Sequence, residues 1–379
     1  MSGYFLYHSI GTFPGKAERM AAALAEFSVI WSAEDDSQWP AALAARQRFI
    51  DAWTRLIEAP QGTLTTAENV TVALYSLIGG LPAESLAGKR LLVAGDCFPS
   101  LHFLLAGLAE RFGFTLDTVP LRPGESWVRD EDFIAHWQGD VGLALITFVT
   151  STASHRCDVG RLAAHGRAMG SIVGVDITQG IGVAPFSVAA TPVDFVVSTS
   201  LKWLCGSSGA GILQVGSELL ATCRPELRGW FSQPNPFSWD LDAFTYADDA
   251  RRFDHGTPAI LASVASLPGL EWVEQTGVDA IRAQNATLVE RIIGAALENG
   301  WAVRSPLDAA ERGGSVMLGL PQGVEPAKIV AALRNDQLYC DARGTTLRLS
   351  PGMVTTEAAV DVLIARLTEH IGLRHRRAS

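Results

Sequence analysis

The chain has little with which to hold a structural metal, a nucleic acid or a membrane. Its five cysteines are odd in number and form no C-x-x-C pair, which fits reduced thiols rather than a disulfide frame or a zinc ribbon. The eight histidines include no H-E-x-x-H pair, so no metal is expected. Positive charge is short: the formal net charge is −10, and the one basic cluster is the tail "LRHRR", expected to be a solvated end. This argues against a nucleic-acid surface, and no nucleic-acid partner is expected. No apolar run reaches the roughly 18 residues of a membrane span. The opening "MSGYFLYHSIG" lacks the basic-then-apolar layout of a signal peptide, so a cytoplasmic protein is expected. Internal repeats and low-complexity tracts are also missing.

What is present is a large apolar fraction. With 48% hydrophobic and 18% charged residues, the composition is that of a folded α/β protein, and 379 residues exceed the ~250–300 at which single cores stop growing. Apolar runs alternate with helical patterns. "KRLLVAG" (89–95), "VGLALITFV" (141–149), "SIVGVD" (171–176) and "VDFVVSTS" (193–200) read as buried strands, with helices over 100–113 and 159–170 between them. This rhythm predicts a mostly parallel sheet covered on both faces, in a large domain over 1–256 that includes a helical N-terminal segment. From 257 to 379 the pattern changes to a smaller α+β domain: two long stretches of helical spacing, then strand-like "SVMLGL" and "TTLRLS", and a last helix. In parallel sheets ligands sit at the carboxyl ends of the strands, where Asp96, Thr150, Asp176 and Lys202 fall.

Lysine is scarce, so its place in "TSLKWLCGSSGAG" (199–211) carries weight. A lysine after an apolar strand is by itself an ordinary snorkelling side chain. Here Asp176 ends the preceding strand and Gln179 follows three residues later, so carboxylate, amide and amine can share one pocket. That trio suits a pyridine-ring cofactor bearing an aldehyde: the lysine forms a Schiff base and the carboxylate keeps the ring nitrogen protonated. Thr199, Ser200 and the small-residue turn 206–211 could meet a phosphate.

The segment from Asp176 to Gly211 resembles the lysine region of the class V aminotransferase family, pyridoxal 5'-phosphate enzymes of fold type I. Its pattern is D-x-x-(H/Q)-x-x-G, about twenty residues, S/T-x-x-K and a glycine-rich turn. Further matches follow in order along nearly the whole chain, closest to kynureninases. "YFLYHSIGTFP" resembles the opening N-S-L-G-x-x-P, which implies substrate contacts at Ile10 and Gly11. "ENVTVALYSLI" implies phosphate binding by the backbone of Val70 and Thr71. "DCFPSLHF" implies that Phe98 stacks on the cofactor, and "RGWF" that Trp230 lies on its phosphate side. "RRFDHGTPAI" implies that Thr257 reaches the phosphate of a second subunit, and so a homodimer. "LYCDARGTTLRLSP" implies that Arg348 clamps the carboxylate of an amino-acid substrate. An unpaired cation in an apolar strand would be costly, which agrees with a bound carboxylate there.

The resemblance implies a mostly parallel, seven-stranded-type sheet plus the small C-terminal domain, with Lys202 and Asp176 as catalytic residues. The departures are Gln179 where kynureninases have histidine and Leu201 where they have a tyrosine before the lysine. The reaction is expected to be that of a kynureninase-like lyase or hydrolase, or of an aminotransferase. A cysteine desulfurase or epimerase remains an alternative, with Cys340 as the nearest candidate acceptor, as does a protein that binds the cofactor without catalysis. A nucleotide-binding oxidoreductase is disfavoured, because no G-x-G-x-x-G opens a helix after a strand. His255 could line the pocket or be a polar loop residue.

Overall fold

The computed structural model describes residues 3–375, so the end of the basic tail lies outside the described residues. The chain opens with the short strand β1 (Gly3–Tyr4) and two helices, α1 (Lys16–Trp31) and α2 (Gln38–Leu56). Strand β2 (Leu64–Ala67) leads into α3 (Val70–Ile78), which is started by Asn69: its side chain accepts the Val72 N–H at 3.0 Å. β3 (Arg90–Ala94) is followed by α4 (Pro99–Phe112), with proline at its first turn and Gly113 in the left-handed conformation at its end. β4 (Thr115–Val119), α5 (Asp130–His136), β5 (Val141–Thr147), α6 (Val159–Met169), β6 (Ile172–Asp176), β7 (Phe195–Thr199), β8 (Gly211–Val215) and α7 (Ser217–Thr222) complete this part.

The seven longer strands form one sheet in the order β2-β8-β7-β6-β5-β3-β4. β8 alone runs against its neighbours, pairing antiparallel with both β7 and β2. The expected mostly parallel sheet is therefore present, and the four strands read from the sequence are its central ones. Their faces separate with a period of two. Leu92, Ala144, Ile146, Val173 and Val196 join a core with Phe49 and Trp53 of α2, whereas Leu91, Val93, Leu143, Leu145 and Val197 join one with Leu74, Leu101 and Leu105 of α3 and α4. Gly174 of β6 is required by this packing, since a Cβ there would lie 1.9 Å from the Phe195 ring.

The rest of the chain comprises α8 (Ile260–Thr276), α9 (Val278–Glu298), β9 (Ala302–Val303), β10 (Val316–Gly319), α10 (Pro326–Asn335), β11 (Leu338–Tyr339), β12 (Asp341–Arg343), β13 (Thr346–Leu349) and α11 (Glu357–His375). An antiparallel sheet β12-β13-β10-β9 packs with α9, α10 and α11 around a separate core of Leu288, Ile292, Leu333, Leu347 and Leu363. Two segments cross over. Leu270 and Val273 of α8 pack into the core of the large sheet. Conversely, β1 pairs parallel with β11 and Phe5 is buried in the C-terminal core.

A buried ion pair fixes the approach to the site. Arg46 of α2 grips Asp254 through two bonds, Nη1 to Oδ2 at 3.0 Å and Nη2 to Oδ1 at 2.8 Å, and also donates to Thr65 and Thr66 of β2. Asp254→Ala leaves the guanidinium buried without its counter-ion, and is expected to lower unfolding stability by about 3–5 kcal/mol in urea titrations. A loss under 1 kcal/mol would show that the pair is not what holds this corner.

Candidate active site

Lys202 stands in a tight turn at the carboxyl end of β7. Ser200 donates its N–H to Ala210 at 2.9 Å, Gly206 donates to Ser200 at 2.8 Å, and Cys205, at φ 57°, donates to the Lys202 carbonyl at 2.9 Å. The N-terminal segment is stitched over this turn. Gly11 donates its N–H to Leu201 at 2.8 Å, and Lys16 Nζ bridges the carbonyls of Gly11 at 2.7 Å and Gly206 at 3.3 Å. Only glycine fits at position 11, because a Cβ would lie 1.8 Å from the Lys202 carbonyl oxygen. Ile10 is exposed, and its carbonyl accepts the Tyr4 hydroxyl at 2.6 Å.

Two opposed effects set the state of the lysine. Burial pulls the Lys202 amine down to about 8, against the Asp176 carboxylate, which favours the ammonium; the cations Arg348 and Arg343 add to the depression. Asp176 is itself buried, which raises it, while the Thr178 side chain, the Thr178 N–H at 2.9 Å and the Lys202 charge oppose the rise. The Lys202 Nζ lies 5.4 Å from the centre of the Phe98 ring, which is 40% exposed. Beside them, α3 begins with the N–H groups of Val70 and Thr71 at its first turn, and Thr199 pairs with Gly211 at the adjoining strand ends. Gly211 brings these parts close: a Cβ there would lie 3.2 Å from Asn69 Cα.

These residues suit the expected cofactor. An aromatic face left partly open over a depressed lysine, a buried carboxylate next to it and a helix start with N–H donors are the three contacts a phosphorylated pyridine aldehyde requires.

Arg348 stands differently from the expectation of an unpaired cation. Asp341 lies directly across from it in the β12–β13 pairing and holds it from two sides, with Nε to Oδ1 at 2.8 Å and a bond from Nη2 to Oδ2. Its buried charge is thus balanced within the chain. His8 completes the group. Its Nε2 is 3.1 Å from Asp341 Oδ1, and its Nδ1 is 2.7 Å from Ser350 Oγ. Gln179 donates to the His8 backbone carbonyl at 3.1 Å. Burial would raise the Asp341 carboxyl, but the bonds from His8 and Arg348 outweigh it and hold the group well below the usual carboxylate range. Neither Asp341 nor His8 carries an expected role from the sequence, although both stand within the stretches "LYCDARGTTLRLSP" and "YFLYHSIGTFP". The one local signal was the seven-residue spacing of an acid and an arginine in a hairpin.

Other expected residues lie apart from this group. Trp230 packs edge-on against Trp39, Phe231 and Phe237. Thr257 is exposed. His255 stands 3.7 Å from Glu68, which raises its basicity, on the strand-to-α3 connection. All five cysteines are buried, and burial pushes the Cys340 thiol up to about 12.

The chain is similar to known proteins in four respects. The family described as Aminotransferase class-V matches residues 54–360. A kynureninase of Bacillus thuringiensis subsp. konkukian is 27% identical over 339 residues, which cover 80% of this chain and 76% of that protein. The uncharacterized aminotransferase YcbU of Bacillus subtilis is 24% identical over 337 residues, covering 87% and 86%. In structure, the apo cysteine desulfurase of Thermococcus onnurineus NA1 superposes with a TM-score of 0.87 at 19% identity, over 97% of this chain and 94% of its own. That last likeness is one of fold, and the fold-type I architecture expected from the sequence is borne out.

The opposed effects on Lys202 give a signed prediction. Trapping of pyridoxal phosphate on Lys202 of the cofactor-free protein by borohydride, read by mass spectrometry, should speed up as pH rises through about 8, where the amine loses its proton. In Asp176→Asn the group that favours the ammonium is gone, so the midpoint should move below 8. A midpoint above 10 in the wild type, or an upward move in the variant, would contradict this balance.

Proposed function

Since the chain belongs to the class-V aminotransferase family, we propose that it is a pyridoxal-phosphate-dependent enzyme of amino-acid metabolism whose reaction is a kynureninase-like cleavage of an amino-acid side chain. The observation that carries this is the convergence of Lys202, Asp176 and Arg348 at one end of the large sheet, where each acts on the charge of the lysine. Pyridoxal phosphate supplies an electron sink for the α-carbon when its ring nitrogen is protonated. The buried Asp176 carboxylate supports that protonated nitrogen. Lys202 holds the cofactor, and its amine, depressed to about 8, can take and return the proton at Cα near neutral pH. Phe98 would stack on the cofactor ring, while Val70, Thr71 and Thr199 would hold its phosphate. Arg348, oriented by Asp341, takes the substrate carboxylate.

A second reading, amino transfer, is favoured by one observation: Leu201 offers no hydroxyl beside Lys202, and the cleavage reaction would then need its acid from elsewhere. YcbU, named an aminotransferase, matches the chain at similar identity. Desulfuration of cysteine is disfavoured, because a sulfur acceptor must be an accessible thiolate and all five thiols are buried.

The exposure of Thr257, three residues after the buried Asp254, supports the reading that it serves the phosphate of a second copy. The active unit is then a homodimer, and sedimentation equilibrium should return twice the chain mass. An active monomer would sink this arrangement. No helix of the described residues is long and apolar enough to cross a membrane, and the reduced state of the five thiols agrees with the cytoplasm.

The deciding experiment is the visible absorption spectrum of the purified protein with pyridoxal phosphate, beside Lys202→Ala, followed by a panel of amino acids and a fluorescence assay for anthranilate released from L-kynurenine. A violet-region band that the variant lacks, and anthranilate release, support the cleavage reading. A band shifted by amino acids with keto-acid product and no anthranilate would favour amino transfer. A band that no amino acid changes would point to cofactor binding without catalysis.

A further inference from the structure

We propose that His8 is a positioning residue for the carboxylate clamp: its ring, held between Ser350 and Asp341, sets the orientation of Arg348 and ties the strength of that clamp to pH. This rests on the reading of Arg348 as the substrate-carboxylate ligand.

The direction of each bond can be derived. A carboxylate without a proton can only accept, so His8 Nε2 must carry the hydrogen it shares with Asp341 Oδ1 at 3.1 Å. In the neutral ring Nδ1 is then an acceptor, and the hydrogen in its 2.7 Å bond comes from the Ser350 hydroxyl. Ser350 in turn accepts from Ser315 at 2.6 Å. The donors therefore run in one direction from Ser315 through Ser350 and His8 to Asp341, where they meet the bonds donated by Arg348. Ser315, Ser350 and His8 are at most 4% exposed, so water cannot readily replace a lost bond among them.

Asp341 is the weak member. Its side chain is 36% exposed and sits on the short strand β12, at the margin of the small sheet. Arg348 bonds both of its oxygens, and His8 Nε2 shares Oδ1 with the Arg348 Nε. Without the imidazole, Oδ1 loses its one donor from outside the hairpin, and the ion pair is left to swing toward solvent as a unit, taking the guanidinium with it. The His8 backbone extends the link, since its carbonyl holds the Gln179 amide at 3.1 Å. One residue thus joins the clamp on the small sheet to the segment that follows Asp176.

The same geometry makes the device sensitive to acid. A proton on Nδ1 turns that atom into a donor, so the Ser350 and Ser315 hydroxyls must both reorient. It also creates a third cation near two others. The charged groups acting on His8 are Asp341 of β12, Arg348 of β13 and Lys202 of the turn after β7. Burial lowers the His8 basicity most, the Asp341 bond and charge oppose this, and Arg348 and Lys202 add to the lowering. The neutral ring is therefore retained to a lower pH than for an ordinary histidine, and the clamp loosens as pH falls through that depressed value.

The test joins kinetics to a readout that needs no turnover. With L-kynurenine as probe, His8→Ala should raise KM roughly tenfold while kcat stays within about threefold, as for the loss of one bond to a charged group. His8→Gln carries a donor that can still meet Asp341 but does not titrate. It should restore KM to within about threefold and remove the His8 component from the acid limb of kcat/KM. In histidine-labelled protein, NMR should show the His8 ring as the Nε2–H tautomer with a midpoint below 6.5, and Arg348→Gln should raise that midpoint by removing a like charge. A His8→Ala enzyme with unchanged KM and only a lower Tm would overturn the proposal, as would an Nδ1–H tautomer or a midpoint unmoved by Arg348→Gln. The underlying reading fails separately: unchanged KM in Arg348→Ala removes the clamp itself. If the wild type does not turn over L-kynurenine, the substrate assignment falls, and the NMR arm still decides the coupling between His8 and Arg348.

Discussion

A primary amine kept where burial disfavours its charge is the constraint on which the rest of the structure depends. Lys202 could not be held there by its own turn alone. The turn is closed by bonds from Ser200, Cys205 and Gly206, and covered by Gly11 and Lys16 from a distant part of the chain. Asp176 is close enough to act on the amine without suppressing the effect of burial, and the result is a group that titrates near neutral pH. The parallel strands supply the two residues from adjacent ends, as such sheets do at the edge where all their carboxyl termini meet.

The second unit contributes charge balance. Arg348 would be a poor resident of a buried strand if it waited for a ligand alone, because an uncompensated guanidinium is costly to remove from water. Asp341 meets that cost within the chain and leaves a preorganised planar fork. Preorganisation of this kind lowers the cost of binding an anion, since less freedom is lost when a ligand arrives.

The sequence was legible where residues are buried on both faces of the sheet. β3, β5, β6 and β7 are continuous apolar runs, and so stood out. β4, "TLDTV", lies at one edge with its side chains partly exposed, and β2, "LTTA", is four residues at the other. β8, "GILQV", follows directly on the glycine-rich turn, and no local pattern announces that it runs antiparallel. The site divides in the same way. Lys202, Asp176 and Phe98 were readable because a strand end is a local feature, and the family pattern marks them. The part played by Asp341 is a matter of hairpin register, and the bond from His8 spans 333 positions of sequence. No window of residues contains such a contact, and the hydropathy of its members does not report it.

The first strand of the chain is paired with one of the last. Gly3 lies beside Leu338 and Tyr4 beside Tyr339, and the residues that follow them cover the lysine turn. During synthesis from the N-terminus, the large sheet can be assembled long before residue 338 emerges, while the opening segment has no strand to join. The strand pairing that anchors the cover of the lysine turn thus forms only after residue 339 has been made. A product cut before that point would hold the residues of the large sheet but not the strand to which its opening segment is tied.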